Sequence, residues 1–316
     1  MSLNFDLLST FLVCPRCHKG LAKTSSSITC FDCGLDFRPN ENGFCDFTIG
    51  LATESIDCGK DDYIKIQEAE APRVCKEWLE PFLASETVKR VLNVGCGLGS
   101  EIPILQEKGY EAYGIDLPYT SKYWKQMGYD SRYFFCSDAS YLPFPAEFFD
   151  VVYSFGVIEH IGTEIGQCTL QSNYREIRQK FADELLRVTK KDGRIFIHCP
   201  NKSFPVDIAH GPSDRAGPKR HLRWFIQKHT RLTIHKTWGD YHLLSYPEVR
   251  RLFCNDHEEE GCIEPLSSRN YFSFATLDSG YARVYKILAP LYVDHLPRRL
   301  WSSFLNPFVC VMIRKK

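Results

Sequence analysis

The chain has 316 residues, 44% of them hydrophobic and 25% charged, the balance of a folded globular protein rather than a disordered one. Lys plus Arg and Asp plus Glu are equal at 39 each, so the overall charge gives no argument for nucleic acid or an acidic membrane. No apolar run approaches the roughly 18 residues of a membrane span, and the N-terminal stretch lacks the basic start and small-residue cleavage site of a signal peptide.

The first motif along the chain is Cys14-Pro-Arg-Cys17, followed after twelve residues by Cys30-Phe-Asp-Cys33-Gly34. Each Cys-x-x-Cys knuckle brings two thiolates to one point, and four thiolates satisfy tetrahedral zinc. Cys14, Cys17, Cys30 and Cys33 are therefore predicted to hold a structural Zn2+ in a ribbon over residues 1–48. A closed thiolate set leaves no open coordination position, so this metal belongs to folding rather than to chemistry. Thr24 to Ser27 reads as a hairpin tip. Ten of the 14 cysteines lie outside these knuckles, and Cys136 and Cys199 fall in predicted core strands, so a reducing cytoplasmic location is expected. Residues 49–87 are expected to be a linker and leading helices. Val74, Trp78, Leu79, Phe82 and Leu83 have helical spacing after Pro72.

The apolar run Val91 to Val94 ends abruptly in Gly95, Gly97 and Gly99. That is a buried strand, a tight glycine turn and a helix start, which lets a backbone approach a nucleotide closely. Ser100 is placed as N-cap of the next helix, Glu101 in its first turn and Gly109 at its end. A second run, Ala112 to Ile115, ends in Asp116, a carboxylate able to accept both hydroxyls of a ribose. A third, Tyr133 to Cys136, leads into Ser137-Asp138-Ala139. A fourth, Asp150 to Ser154, leads into Val157-Ile-Glu-His160. Phe181 to Val188 reads as an amphipathic helix, Lys191-Asp-Gly193 as a turn and Arg194 to Cys199 as a fifth strand. Alternating strands and helices imply a parallel sheet covered on both faces. Phe308 to Ile313 is an apolar run fit to be its last strand.

This series, over about residues 88–200, resembles the class I S-adenosylmethionine (SAM) methyltransferases. The resemblance implies an α/β fold: a Rossmann-like seven-stranded methyltransferase sheet preceded by the zinc ribbon. It places the SAM-binding core at 88–200, an inserted substrate-binding or lid region at 201–305 and a final antiparallel strand at 306–316. It further implies that Gly95, Gly97 and Gly99 wrap the amino-acid end of SAM, that Asp116 holds the ribose and that Asp138 with Ala139 meets the adenine. Cys96, Leu117 and Ser154 complete the cofactor-binding set that the resemblance suggests. The cysteine module resembles zinc ribbons found alone in bacteria or in front of some methyltransferases.

Glu159 and His160 follow the fourth strand, at the carboxyl edge where ligands bind in open α/β sheets. Methyl transfer from a sulfonium is a direct displacement, so alignment and exclusion of water are the main tasks. An oxygen acceptor must also lose a proton, a role that suits a neutral imidazole near pH 7. His160 is accordingly the expected general base, with Glu159 beside it. The Glu-His pair resembles that of ubiquinone-type and sugar methyltransferases. Between residues 200 and 242 basic residues outnumber acids, and His210, Arg215, Arg220, His221 and Arg223 are candidate substrate-binding residues for an anionic acceptor. Asp207 and His210, with His221 beyond, also have the donor types of a metal site. Ser245 is placed as an N-cap, with Pro247 and Glu248 in the first turn of its helix. Tyr281 to Phe304 is aromatic and amphipathic, expected to pack on the catalytic domain or on a second subunit, as in a homodimer.

The expected function is transfer of a methyl group from SAM to a small-molecule or saccharide acceptor, at a hydroxyl. The alternative is an RNA methyltransferase that uses the zinc ribbon and the basic 215–236 stretch to bind ribosomal or transfer RNA.

Overall fold

Residues 5–49, 61–84, 87–164, 169–207, 210, 220–230, 232–254, 262–269 and 282–316 are described by the computed structural model. The chain forms two compact units: Met1–Ser154, Gln179–Ile195 and Arg314–Lys316 in the first, Phe155–Arg178 and Phe196–Ile313 in the second.

In the first unit, helix α1 (Phe5–Phe11) precedes four short strands, β1 (Ala22–Lys23), β2 (Ile28–Cys30), β3 (Leu35–Pro39) and β4 (Cys45–Asp46). They pair antiparallel in sequence order. The Thr24 amide donates to the Ser27 carbonyl at 2.9 Å, closing the predicted hairpin tip. Helix α2 (Asp61–Arg73) continues through one π-helical turn, Val74–Leu79, into α3 (Glu80–Leu83). The helix thus starts well before Pro72, where the spacing alone predicted one only after it. A proline supplies no amide hydrogen to its own turn, and the wide π turn follows it directly.

The nucleotide-type units come next: β5 (Arg90–Val94), α4 (Glu101–Glu107), β6 (Glu111–Asp116), α5 (Ser121–Gln126), β7 (Phe134–Cys136) and β8 (Phe149–Phe155). Strands β5, β6, β7 and β8 are parallel, with β5 flanked by β6 and β8. Ser100 stands at the N-cap position of α4 as expected, but its backbone is already helical and its hydroxyl makes no capping hydrogen bond. Gly109 ends that helix at φ 90°, as predicted.

The cysteine module is continuous with this sheet. Strand β4 pairs parallel with β7 through Asp46 and Cys136, giving the order β1-β2-β3-β4-β7-β6-β5-β8. These additions take the strand count beyond the seven expected. Aromatic packing explains the join: Phe44 meets Trp124 edge-on at 5.2 Å, and Phe47 meets Phe135 at 6.1 Å, with all four rings buried. Asn40 and Asn42 each donate to the Ser121 hydroxyl at 2.9 Å.

Helix α6 (Tyr174–Val188) and strand β9 (Thr189–Pro200) run through both units. Lys191-Asp-Gly193 is a kink inside β9 rather than a break before it, with Asp192 at φ 62°. The second unit adds β10 (Val206–Asp207), α7 (Arg220–Thr230), β11 (Thr233–Ile234), α8 (Tyr246–Phe253), β12 (Ile263–Pro265), α9 (Ala282–Asp294) and β13 (Phe308–Arg314). Strand β13 lies between β9 and β12 and is antiparallel to β12, in keeping with the expected last strand. Strands β10 and β11 form a separate two-stranded ribbon in which Asp207 faces Thr233. Helix α8 starts as predicted: the Glu248 carboxylate accepts the Ser245 amide at 2.8 Å and pairs with Lys202. Ile287, Leu288, Leu291 and Tyr292 of α9 are exposed in the single chain, and Tyr281 lies outside the described residues. No helix among the described residues is long and apolar enough to cross a membrane.

Candidate active site

The glycine turn is a pinned loop in the first unit. Gly95, Gly97 and Gly99 have φ of 75°, 56° and 67°, the left-handed region that a side chain disfavours. A Cβ on Gly99 would also sit 2.4 Å from the Phe134 ring. The Gly97 amide donates to Asp116 Oδ2 at 2.6 Å, and the Leu117 amide donates to Oδ1 at 2.7 Å. Burial pushes the Asp116 carboxyl up to about 6, against the pull of those two amides. The Trp124 indole donates to the Gly97 carbonyl at 2.8 Å.

Gln67 on α2 enters this site unannounced by the sequence: its Oε1 accepts the Leu98 amide at 2.9 Å. Asp138 and Ala139 are half-buried after β7, with Asp138 Oδ1 accepting the Ser140 amide at 2.7 Å. Cys96 is buried and its thiol is pushed well up by that burial, so it packs rather than reacts. Ser154 is fully buried and its hydroxyl donates to the Val94 carbonyl at 2.9 Å, tying β8 to β5.

The second unit assembles a different cluster. Glu159 is buried, and its Oε2 accepts no hydrogen bond among the described residues. His160, beside it in sequence, keeps part of its ring at the surface and turns Nε2 to within 3.3 Å of His210 Nε2. One ligand-type atom from each of Glu159, His160 and His210 lies within 4.8 Å of the other two. Asp207 orients His210, with Oδ2 2.8 Å from Nδ1 and Oδ1 accepting the His210 amide at 3.3 Å. The His210 carbonyl accepts the Thr233 hydroxyl at 2.5 Å, so the β10–β11 ribbon fixes this residue from two sides. The His242 ring packs edge-on to His210 at 5.1 Å. Arg178, buried on α6, donates to the carbonyls of Ile161 at 3.0 Å and His242 at 2.6 Å.

Electrostatics divide these groups. Burial works against a charge on His210, but the hydrogen bond and charge of Asp207 outweigh it and raise its pKa. Desolvation, then the His210 charge, pushes His160 down to about 4 and His242 to about 3. Burial lifts Glu159 to about 7. Near neutral pH, then, His160 is neutral, while Asp207 favours a proton on His210.

Of the predicted acceptor-side residues, His210 joins Glu159 and His160. His221 is exposed on α7 and outside this cluster, so the metal set suggested by the spacing of Asp207, His210 and His221 is not the one that forms. Arg223 is half-buried on α7 and Arg220 begins that helix, whereas Arg215 lies outside the described residues. Arg178 and His242 carried no sequence signal, because their partners are distant in the chain.

The four predicted thiols converge, each sulfur lying within 4.8 Å of the others, and Cys17 and Cys30 are 3.5 Å apart. Zn–S bonds of about 2.3 Å in a tetrahedron imply sulfur separations of about 3.8 Å, so the set has the size and chemistry of a zinc site.

Residues 92–197 match the family described as "Methyltransferase domain". A tRNA N(3)-cytidine methyltransferase of Gallus gallus is 31% identical over 150 residues, or 44% of this chain; the chain spans 40% of the length of that curated relative. Among solved structures, phosphoethanolamine N-methyltransferase 2 of Haemonchus contortus, in complex with SAM, is 14% identical, with a TM-score of 0.46 over 84% of this chain and 58% of that one. The PH0226 protein of Pyrococcus horikoshii is 16% identical, with a TM-score of 0.44 over 83% of this chain and 95% of that one.

Proposed function

We propose that this chain transfers a methyl group from SAM to a hydroxyl of a small-molecule or saccharide acceptor. The observation that carries the reading is the glycine loop held to Asp116 through the Gly97 amide. Three left-handed glycines turn the chain tightly at the end of β5, and a carboxylate ends β6, the two features with which sheets of this type bind a nucleoside. The cofactor residues are Gly95, Gly97, Gly99, Asp116 and Leu117, with Asp138 and Ala139 for the base.

The S–CH3 bond breaks with its electron pair going to sulfur, while an O–CH3 bond forms. The hydroxyl proton leaves to a general base, the role expected of His160 from its place after β8. His221 and Arg223, with Arg220 and Arg215 in the same stretch, suit an anionic group on the acceptor. Zn2+ at Cys14, Cys17, Cys30 and Cys33 is structural, and through β4 it steadies the edge of the sheet at β7.

A second reading, transfer to RNA, is favoured by the identity to the tRNA methyltransferase. It is favoured also by exposed Trp224 and Phe225 among the basic residues of α7, which offer faces for base stacking.

Calorimetric titration with S-adenosylhomocysteine tests the cofactor. The parent is expected to bind, and Asp116→Ala to bind about 100-fold more weakly, since two hydrogen bonds to a charged group are lost. No binding to the folded parent overturns the enzyme reading. Radiolabelled SAM offered with metabolite fractions or with transfer RNA then separates the two acceptor classes by where the label appears.

A further inference from the structure

The geometry points to a divalent-cation site formed by Glu159, His160 and His210 in the second unit, distinct from the four-cysteine site. Two imidazole nitrogens 3.3 Å apart make a poor hydrogen bond. Yet metal–nitrogen bonds of about 2.0–2.1 Å at a tetrahedral angle put two ligand nitrogens about 3.3–3.4 Å apart. The separation is thus that of two ligands of one ion.

The third donor is already in place. Glu159 Oε2 is buried without a hydrogen-bond partner among the described residues, a costly condition for a carboxylate oxygen unless a cation meets it. Its donor atom lies within 4.8 Å of both imidazoles. The outer shell is built as well. Asp207, itself buried, holds Nδ1 of His210 at 2.8 Å and leaves Nε2 as the atom that faces His160, the carboxylate–histidine support that orients metal ligands.

Two histidines and one carboxylate suit a first-row divalent ion and leave positions open for an exogenous oxygen. Because His160 reaches the surface, such an oxygen has a way in. The site itself rests on the cluster alone. With an ion bound, His160 Nε2 is a ligand rather than a free base, and the ion would instead lower the pKa of the acceptor hydroxyl; that use rests on the methyl-transfer reading.

The test is Co2+ titration of the full chain, with its cysteine module first filled with zinc. The expected result is one equivalent of bound Co2+, with visible d–d bands and no near-ultraviolet thiolate-to-cobalt band. Affinity should fall at least about 100-fold in Glu159→Gln and in His210→Ala. Glu159→Gln keeps the shape of the side chain, so it serves should His210→Ala fail to fold. Overturning results are the absence of nitrogen/oxygen-type bands in the folded parent, or their survival unchanged in Glu159→Gln. Titration with S-adenosylhomocysteine alongside separates the two readings: nucleoside binding without Co2+ uptake removes the cation site and leaves the methyltransferase. Co2+ uptake without nucleoside binding does the reverse.

Discussion

The cysteine cluster and the histidine cluster are both groups of metal-type donors, but the chain makes them in opposite ways. Cys17 and Cys30 are 13 residues apart, one in a turn and the other on β2, and each knuckle supplies neighbouring thiols. Such a site is written in local spacing. His160 and His210 are 50 residues apart, and His210 is fixed by Asp207 and Thr233 of a two-stranded ribbon. Here tertiary structure, not spacing, selects the ligands. A four-thiolate set is closed and suits stability, whereas the proposed histidine site keeps an open side and would suit chemistry.

That contrast predicts very different costs of damage. Removing a thiolate by Cys30→Ala is expected to lower stability by about 4–5 kcal/mol or more, because a structural metal is lost with it. For a unit of this size that is a fall in Tm of about 10–20 °C. Phe44 and Phe47 are packed beside Trp124 and Phe135, so the loosening should reach the β4–β7 edge. Thermal melts with and without a zinc chelator read this directly. A change of only a few degrees would mean that aromatic packing, not metal, holds the module.

Two carboxylates, one in each unit, should also answer pH with opposite sign. Asp116 has its folded pKa raised to about 6 by burial. Its contribution to stability is present below the ordinary aspartate value and is lost as pH rises through about 6, by at most about 3 kcal/mol. Glu248 behaves the other way. Burial opposes its charge, but Lys202 and the Ser245 hydroxyl and amide outweigh that and lower its pKa. Its contribution is present at neutral pH and is lost as pH falls through the lowered value. Hydrogen exchange corrected for intrinsic rates should show β5 and β6 less protected at alkaline pH and α8 less protected in acid. Protection moving together in both segments would remove the distinction.

The parts legible in the sequence share one physical property: the residues that define them are close along the chain. The glycine turn, Asp116 at the end of its strand, the Cys-x-x-Cys knuckles and the Ser245–Glu248 helix start are all of this kind. Gln67 could not be read because it meets Leu98 from 31 residues away. Nor could Arg178, whose partner carbonyl on His242 is 64 residues on. The β4–β7 pairing rests on a single register pair, too short to leave a pattern. The apolar run from Asp150 placed Ser154 in a strand but said nothing of where its hydroxyl would go, and it goes inward to Val94.

The finest distinction between the two clusters lies in the outer shell, and Asp207→Asn isolates it. The carboxylate touches no proposed ion; it holds His210 Nδ1 at 2.8 Å and is buried. An amide can orient the ring but brings no negative charge to it. Outer-shell changes of this type cost about 10–100-fold in metal affinity, so Co2+ binding at the histidine cluster should weaken within that range. Zinc retention by the four cysteines should be untouched, and Tm should move by only a few degrees, since one hydrogen bond of a charged group is exchanged for a neutral one. A variant that binds Co2+ as the parent does would show that Asp207 supports the β10–β11 ribbon only, and that the thiolate site alone is tuned for metal.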